Sequence, residues 1–131
     1  MDFDFDLLLR RTRMAAKLVL DTANHPRAAR AHGTGAVSRH LIYELDQLCL
    51  DLRLDPVRDS QRVLVGHLTD RLDPLKPMAG VPVLLTSGEE VVAATASDRQ
   101  GEFQIPFEPR DTLALFLPLG EDRLIEVSVT Y

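Results

Sequence analysis

Leu48–Leu54 reads Leu-Cys-Leu-Asp-Leu-Arg-Leu, with leucine at every second position and Cys49, Asp51 and Arg53 between. Side chains alternate between the two faces of a β-strand, so this period of two specifies a strand with one apolar face. A helix would scatter the same leucines around its axis. That face must be covered by another layer, which restricts the chain to folds in which a sheet packs on something. Seven more strand-like runs occur after residue 40. They are 41–45, 63–69, 81–85, 91–96, 102–107, 113–117 and 124–129. Turn signals separate them: Pro56 with Asp59-Ser60, a long turn from Asp70 to Met78 holding Asp73-Pro74 and Lys76-Pro77, then Ser87-Gly88-Glu89, Asp98–Gly101 and Gly120-Glu121-Asp122. Pro82 donates no backbone hydrogen bond, which suits an edge or the first residue of a strand. No helical pattern intervenes, so the spacing predicts an antiparallel sandwich or barrel rather than a βαβ fold.

The pattern before residue 38 differs. Leu7, Leu8, Met14, Ala15, Leu18 and Val19 recur at spacings of three, four and seven, as in an amphipathic helix over 6–23. The run Leu18-Val19-Leu20-Asp21-Thr22 fits a strand equally well. Residues 24–37 contain Pro26, Gly33 and Gly35 and read as a linker. The expected organisation is an N-terminal arm, helical or extended, over residues 1–37 and a β domain over 38–131.

The chain has 131 residues, 45% of them hydrophobic, enough to bury a core without disulfides; Cys49 is the one cysteine. Cys49 is expected as a small apolar residue on a buried strand face. The net charge of −5 disfavours general nucleic-acid binding. The opening Met1-Asp2-Phe3-Asp4-Phe5-Asp6 is acidic where a secretory leader is basic, and no apolar stretch reaches the ~18 residues of a membrane span. The expected compartment is the cytoplasm.

Three pieces in order carry a resemblance: Val65-Gly66-His67-Leu68-Thr69-Asp70, then Met78-Ala79-Gly80-Val81-Pro82-Val83-Leu84-Leu85, then Thr95-Ala96-Ser97-Asp98-Arg99-Gln100-Gly101-Glu102-Phe103. Together they resemble the strand, strand and hairpin motifs of carboxypeptidase-regulatory-like (prealbumin-like) domains, over about residues 61–119. The resemblance implies an Ig-like or transthyretin-like β-sandwich of about seven to eight strands. It implies appendage, adhesion or interaction roles and no chemistry, because fold alone names no reaction. The internal Lys–Asn bond of some adhesin relatives is not expected, since the lysines are Lys17 and Lys76 and the one asparagine, Asn24, falls in the linker. With its lead-in strands and arm, the chain is also similar to small bacterial proteins found beside extracytoplasmic-function sigma factors.

The matched residues have physical roles of their own. Gly66 inside a strand allows a bulge or a close approach. Gly80 is free to take positive φ. Asp98 can accept from turn amides and Gly101 can close the turn in the left-handed region. Phe103 is expected to plug the core.

No motif carries catalysis. His25, His32, His40 and His67 lack zinc-ligand spacing, so neither metal nor cofactor is expected. Gly33-Thr34-Gly35 lacks the strand and the Lys-Ser/Thr of a phosphate loop. The serines lack a nucleophile-elbow context. Asp98, His67 and Cys49 are the candidates an enzyme would have to use. The feature with most character is the basic cluster Arg10, Arg11, Arg13 and Lys17, continued by Arg27, Arg30 and Arg39, behind the acidic and apolar alternation that holds Phe3, Phe5 and Leu7. Its bland alternative is a solvated face. The expected function is a non-enzymatic protein-interaction module, docking through Phe3, Phe5, Leu7, Arg10, Arg11, Arg13 and Lys17 or through an open sheet edge. Its expected partner is a bacterial signalling or transcription-regulating protein. Self-association by strand pairing is open to the same edge. The alternative is a small-ligand or carbohydrate-binding sandwich, against which the absence of tryptophan counts.

Overall fold

A computed structural model describes residues 5–22, 38–58, 61–108 and 112–129. One short helix, α1 (Phe5–Leu8), precedes eleven strands. These are β1 (Thr12–Ala15), β2 (Lys17–Asp21), β3 (Arg39–Leu45), β4 (Leu48–Arg58), β5 (Gln61–Asp70), β6 (Asp73–Pro77), β7 (Pro82–Ser87), β8 (Glu90–Ala96), β9 (Glu102–Phe107), β10 (Leu113–Leu119) and β11 (Arg123–Val129). The first sheet runs β1-β11-β10-β7-β8. The second runs β2-β3-β4-β5-β6, with β9 also on β5. The protein is a β-sandwich, as the spacing of apolar runs predicted.

All eight expected strands form, and three are added. The long turn expected from Asp70 to Met78 contains β6, which pairs at Thr69↔Pro77 and Asp70↔Asp73. Of the two forms left open for residues 6–23, the extended one prevails beyond the single turn of α1: β1 and β2 are sheet strands. β1 lies parallel to β11, the exception to an otherwise antiparallel pattern. At Ala16 the chain passes from one sheet to the other, its N–H donating to Glu126 O at 3.0 Å. β1 and β2 therefore hold adjacent edges of both layers.

The two layers meet as the alternation requires. Leu48, Leu50, Leu52 and Leu54 of β4 are all buried, facing Val83 and Leu85 of β7, Leu113, Leu115 and Leu117 of β10, and Ile125 and Val127 of β11 in one core cluster. Tyr43 is buried in the same core, and its hydroxyl donates across the sandwich to Ser128 O at 2.6 Å. A second, smaller cluster lies on the far face of the first sheet, where Leu8, Leu84, Phe116 and Leu124 are buried with Phe5, Leu9 and Ala114 against them. The first sheet is thus apolar on both faces, and α1 is the cover of its outer one.

Burial raises the Tyr43 pKa to about 12, with the Asp21 carboxylate pushing the same way and the Arg39 guanidinium opposing. A raised acid pKa means that the folded state holds its proton more tightly. The contribution is complete below the ordinary tyrosine pKa of about 10 and is lost as pH rises through about 12. Urea unfolding across that alkaline window should show the loss in the native protein and a flatter profile in Tyr43→Phe. Equal slopes in the two proteins would refute it.

Candidate functional site

Of the six sequence-predicted docking residues that lie among the described ones, Phe5, Arg11 and Arg13 make contacts within the fold and Leu7, Arg10 and Lys17 are exposed. Phe3 lies outside the described residues, as do Arg27 and Arg30. Phe5 packs edge-to-face on Phe116, with ring centres 5.3 Å apart. Arg13 stacks over the same Phe116 ring, its guanidinium carbon 5.6 Å from the ring centre. Arg11 Nη1 donates to Gly120 O at 3.1 Å. Leu7, Arg10 and Lys17 are exposed, Lys17 directly across from Glu44 on the neighbouring strand. The basic cluster is therefore spread along an edge, with two of its arginines committed to local contacts.

The turn residues have structural work. Gly66 pairs with Phe103, and a Cβ there would fall inside the Phe103 ring, so the glycine serves a close approach. Gly80 and Gly101 have φ of +71° and +78°. Asp98 Oδ1 accepts from the N–H groups of Gln100 and Glu102, both at 2.9 Å. Beside this turn, the buried Ser97 is a clamp that was not foreseen. Its hydroxyl accepts from Val81 N at 2.9 Å and donates to Met78 O at 2.7 Å, fastening the start of β7.

The outer face of the second sheet gathers the groups an enzyme would need. Register places Asp51 opposite His67 and Cys49 opposite Thr69, so Cys49 and His67 are diagonal neighbours. Cys49 sits half-buried on this outer face, not on the buried face expected from sequence, because the leucines on either side of it take the inner positions. Burial raises its pKa, Glu44 adds to the rise, and Thr69 opposes it through a hydrogen bond. A thiol held in its neutral form is a poor nucleophile. His67 Nε2 is bound to Gln100 O at 2.9 Å, and His40 Nε2 pairs with Asp51 Oδ1. Asp98 is occupied in its turn. Among the described residues, no group of three or more His, Cys, Asp or Glu could hold a metal ion. His25 and His32 lie outside them.

At the β2–β3 border, Arg39 binds the buried Asp21 through two hydrogen bonds, Nε to Oδ1 at 2.9 Å and Nη2 to Oδ2 at 2.6 Å. This bond raises the Arg39 pKa against the opposing effect of burial. The fork geometry of guanidinium and carboxylate fixes β2 in register. Arg39 belongs to the basic run seen in the sequence, and the structure turns it into a staple.

An edge and a cavity are among the features of the described residues that a partner could use. β8 ends the first sheet and reads Glu-Val-Val-Ala-Ala-Thr-Ala, with no proline, lysine or arginine. Among the described residues no strand lies on its outer side. The corresponding edge of the second sheet carries Pro77 in β6 and Pro106 in β9, residues that oppose further strand pairing. The second feature is a cavity of about 420 Å³ at one end of the sandwich, lined by the turns of three hairpins.

No protein-family model, curated protein or solved structure matches the chain. No helix among the described residues is long and apolar enough to cross a membrane.

Proposed function

We propose that this protein is a non-enzymatic interaction module that adds a strand of a partner protein to β8. The open edge of β8 carries the reading. It is seven residues long, free of the prolines and basic residues that guard such edges, and mounted on a rigid double layer. Strand addition draws its affinity from main-chain hydrogen bonds and its selectivity from alternate side chains. The exposed Glu89 stands just before the strand, which favours a partner segment with a basic residue at that end. The contacts that Phe5, Arg11 and Arg13 make within the chain favour the edge over the arm as the docking site.

The resemblance to carboxypeptidase-regulatory-like domains supports the interaction role. The partner class we propose is a bacterial signalling or transcription-regulating protein, such as a sigma factor, met in the cytoplasm. The experiment is affinity capture from the native cell, identification of the partner, and measurement of its binding to the purified protein. Replacing the exposed Val91 and Ala94 with lysine should abolish binding while the unfolding midpoint stays within a degree or so. If that double variant binds the same partner with unchanged affinity, the edge is not the docking site.

A further inference from the structure

We infer that the cavity at the end of the sandwich is a binding site for an apolar group that ends in a single positive charge. Its floor is core: Leu48 and Ile125 are buried, and Leu45, Met78 and Leu119 pack against them. Its rim is polar and comes from separate hairpins: Asp46 and Gln47 between β3 and β4, Asp70 at the end of β5, and Arg123 at the start of β11. The lining carries Asp46 and Asp70 against Arg123, and the Arg71 guanidinium that donates to Asp46 O is matched by its own pair with Glu44, so the balance at the mouth is one negative charge and favours a cation. Arg123 and Asp46 are only loosely paired, at 4.0 Å, and both are largely exposed, so Asp46 can turn to a ligand at little cost.

The rim is also held still. Arg71 donates from its backbone N–H to Gln47 O at 2.6 Å and from Nη1 to Asp46 O at 2.9 Å, and its Nη2 pairs with Glu44 at 2.9 Å. These bonds lock the β5–β6 turn to the β3–β4 turn. Asp46 sits in the left-handed region at φ +52°, as the first residue of the two-residue β3–β4 turn. An apolar concave floor of this size with a few fixed polar groups at its mouth is the usual form of a small-molecule or side-chain pocket. An alkylammonium or alkylguanidinium satisfies it, its chain on the leucines and its charge between Asp46 and Asp70. That chemistry is supplied either by a free amine or by a lysine or arginine side chain of a peptide.

The test uses the full chain, with amide chemical shifts and calorimetry as readouts and n-hexylamine, hexanoate, hexanol and a short lysine peptide as probes. Hexylamine is expected to bind more tightly than hexanol or hexanoate, and to shift the amides of Asp46, Asp70, Leu119 and Arg123. Asp46→Asn combined with Asp70→Asn should weaken hexylamine about fivefold or more and leave hexanol binding unchanged. The side-chain amide oxygen introduced by Asp70→Asn keeps the turn bond that Asp70 Oδ1 accepts from Leu72 N–H at 2.9 Å, so folding is preserved. Tighter binding of the lysine peptide than of hexylamine assigns the site to a side chain, and the reverse assigns it to a free amine. Equal binding of hexylamine and hexanoate, shifts confined to other parts of the sandwich, or no binding of any probe would each overturn the assignment.

Discussion

Replacing Phe116 with alanine lowers the unfolding free energy by about 3–5 kcal/mol, more than truncation of a surface aromatic could. Phe116 lies on the outer face of β10, yet it is buried, because α1 lays Leu8 and Phe5 over it. Truncation empties the centre of that cluster, removes the ring under Arg13 and leaves α1 with little to grip. The same change should free the helix, so amide exchange at Leu9, whose N–H bonds to Phe5 O, rises far more than exchange in β4. A double-mutant cycle between Phe5 and Phe116 should return about 0.5–1.5 kcal/mol of coupling. Denaturant unfolding of Phe116→Ala with a loss below about 1 kcal/mol would show that the outer cluster is not part of the cooperative fold. This cluster also alters how the arm can be tested. Removing residues 1–37 deletes β1, β2 and the cover of the first sheet, so loss of partner capture by that truncation reports unfolding as readily as a lost docking site.

Gly66→Val should cost about 3 kcal/mol, the upper part of the range for overpacked cores. The ring of Phe103 occupies the volume a side chain at 66 would need, and both strands flanking Gly66 fix its backbone, β4 through Leu52 and β9 through Phe103. Neither neighbour can retreat without breaking a ladder. The two residues should therefore be strongly non-additive. Gly66→Ala combined with Phe103→Leu should be less damaging than the sum of the single changes by about 1 kcal/mol or more, measured by thermal or urea unfolding. Additive costs would mean that the ring simply moves aside.

The strands after residue 40 were legible because their chemistry is local. Leu48–Leu54 alternates so strictly that only one face could go inside, and the structure buries every leucine of the four. The N-terminal segment was harder for a physical reason. Leu18-Val19-Leu20 is a short apolar run whose periodicity suits two structures, and what decides between them is the edge of β3, contacted only after folding. The added strand β6 was hidden because its prolines signal a turn, while its pairing is confined to two positions. The outer cluster did leave a trace. Leu113-Ala-Leu-Phe-Leu is apolar at successive positions, which is the mark of a strand covered on both faces, but nothing in the run says what covers the outer one. The end cavity left none, because Asp46, Asp70 and Arg123 are far apart in sequence and each looks like an ordinary turn residue. Nor could spacing foretell that Cys49 and His67 become diagonal neighbours, since register between β4 and β5 is a property of the pair.

The parallel pairing of Thr12–Ala15 with Arg123–Glu126 joins segments far apart along the chain. During synthesis Thr12–Ala15 must wait for β11 to emerge before their backbone finds its ladder. Leu8 and Phe5 stay uncovered through that delay, and so does the surface they will later shield. Assembly of so distant a closure is slow in comparison with hairpins such as β3–β4, so the newly made chain spends its most adhesive interval with β1 undocked.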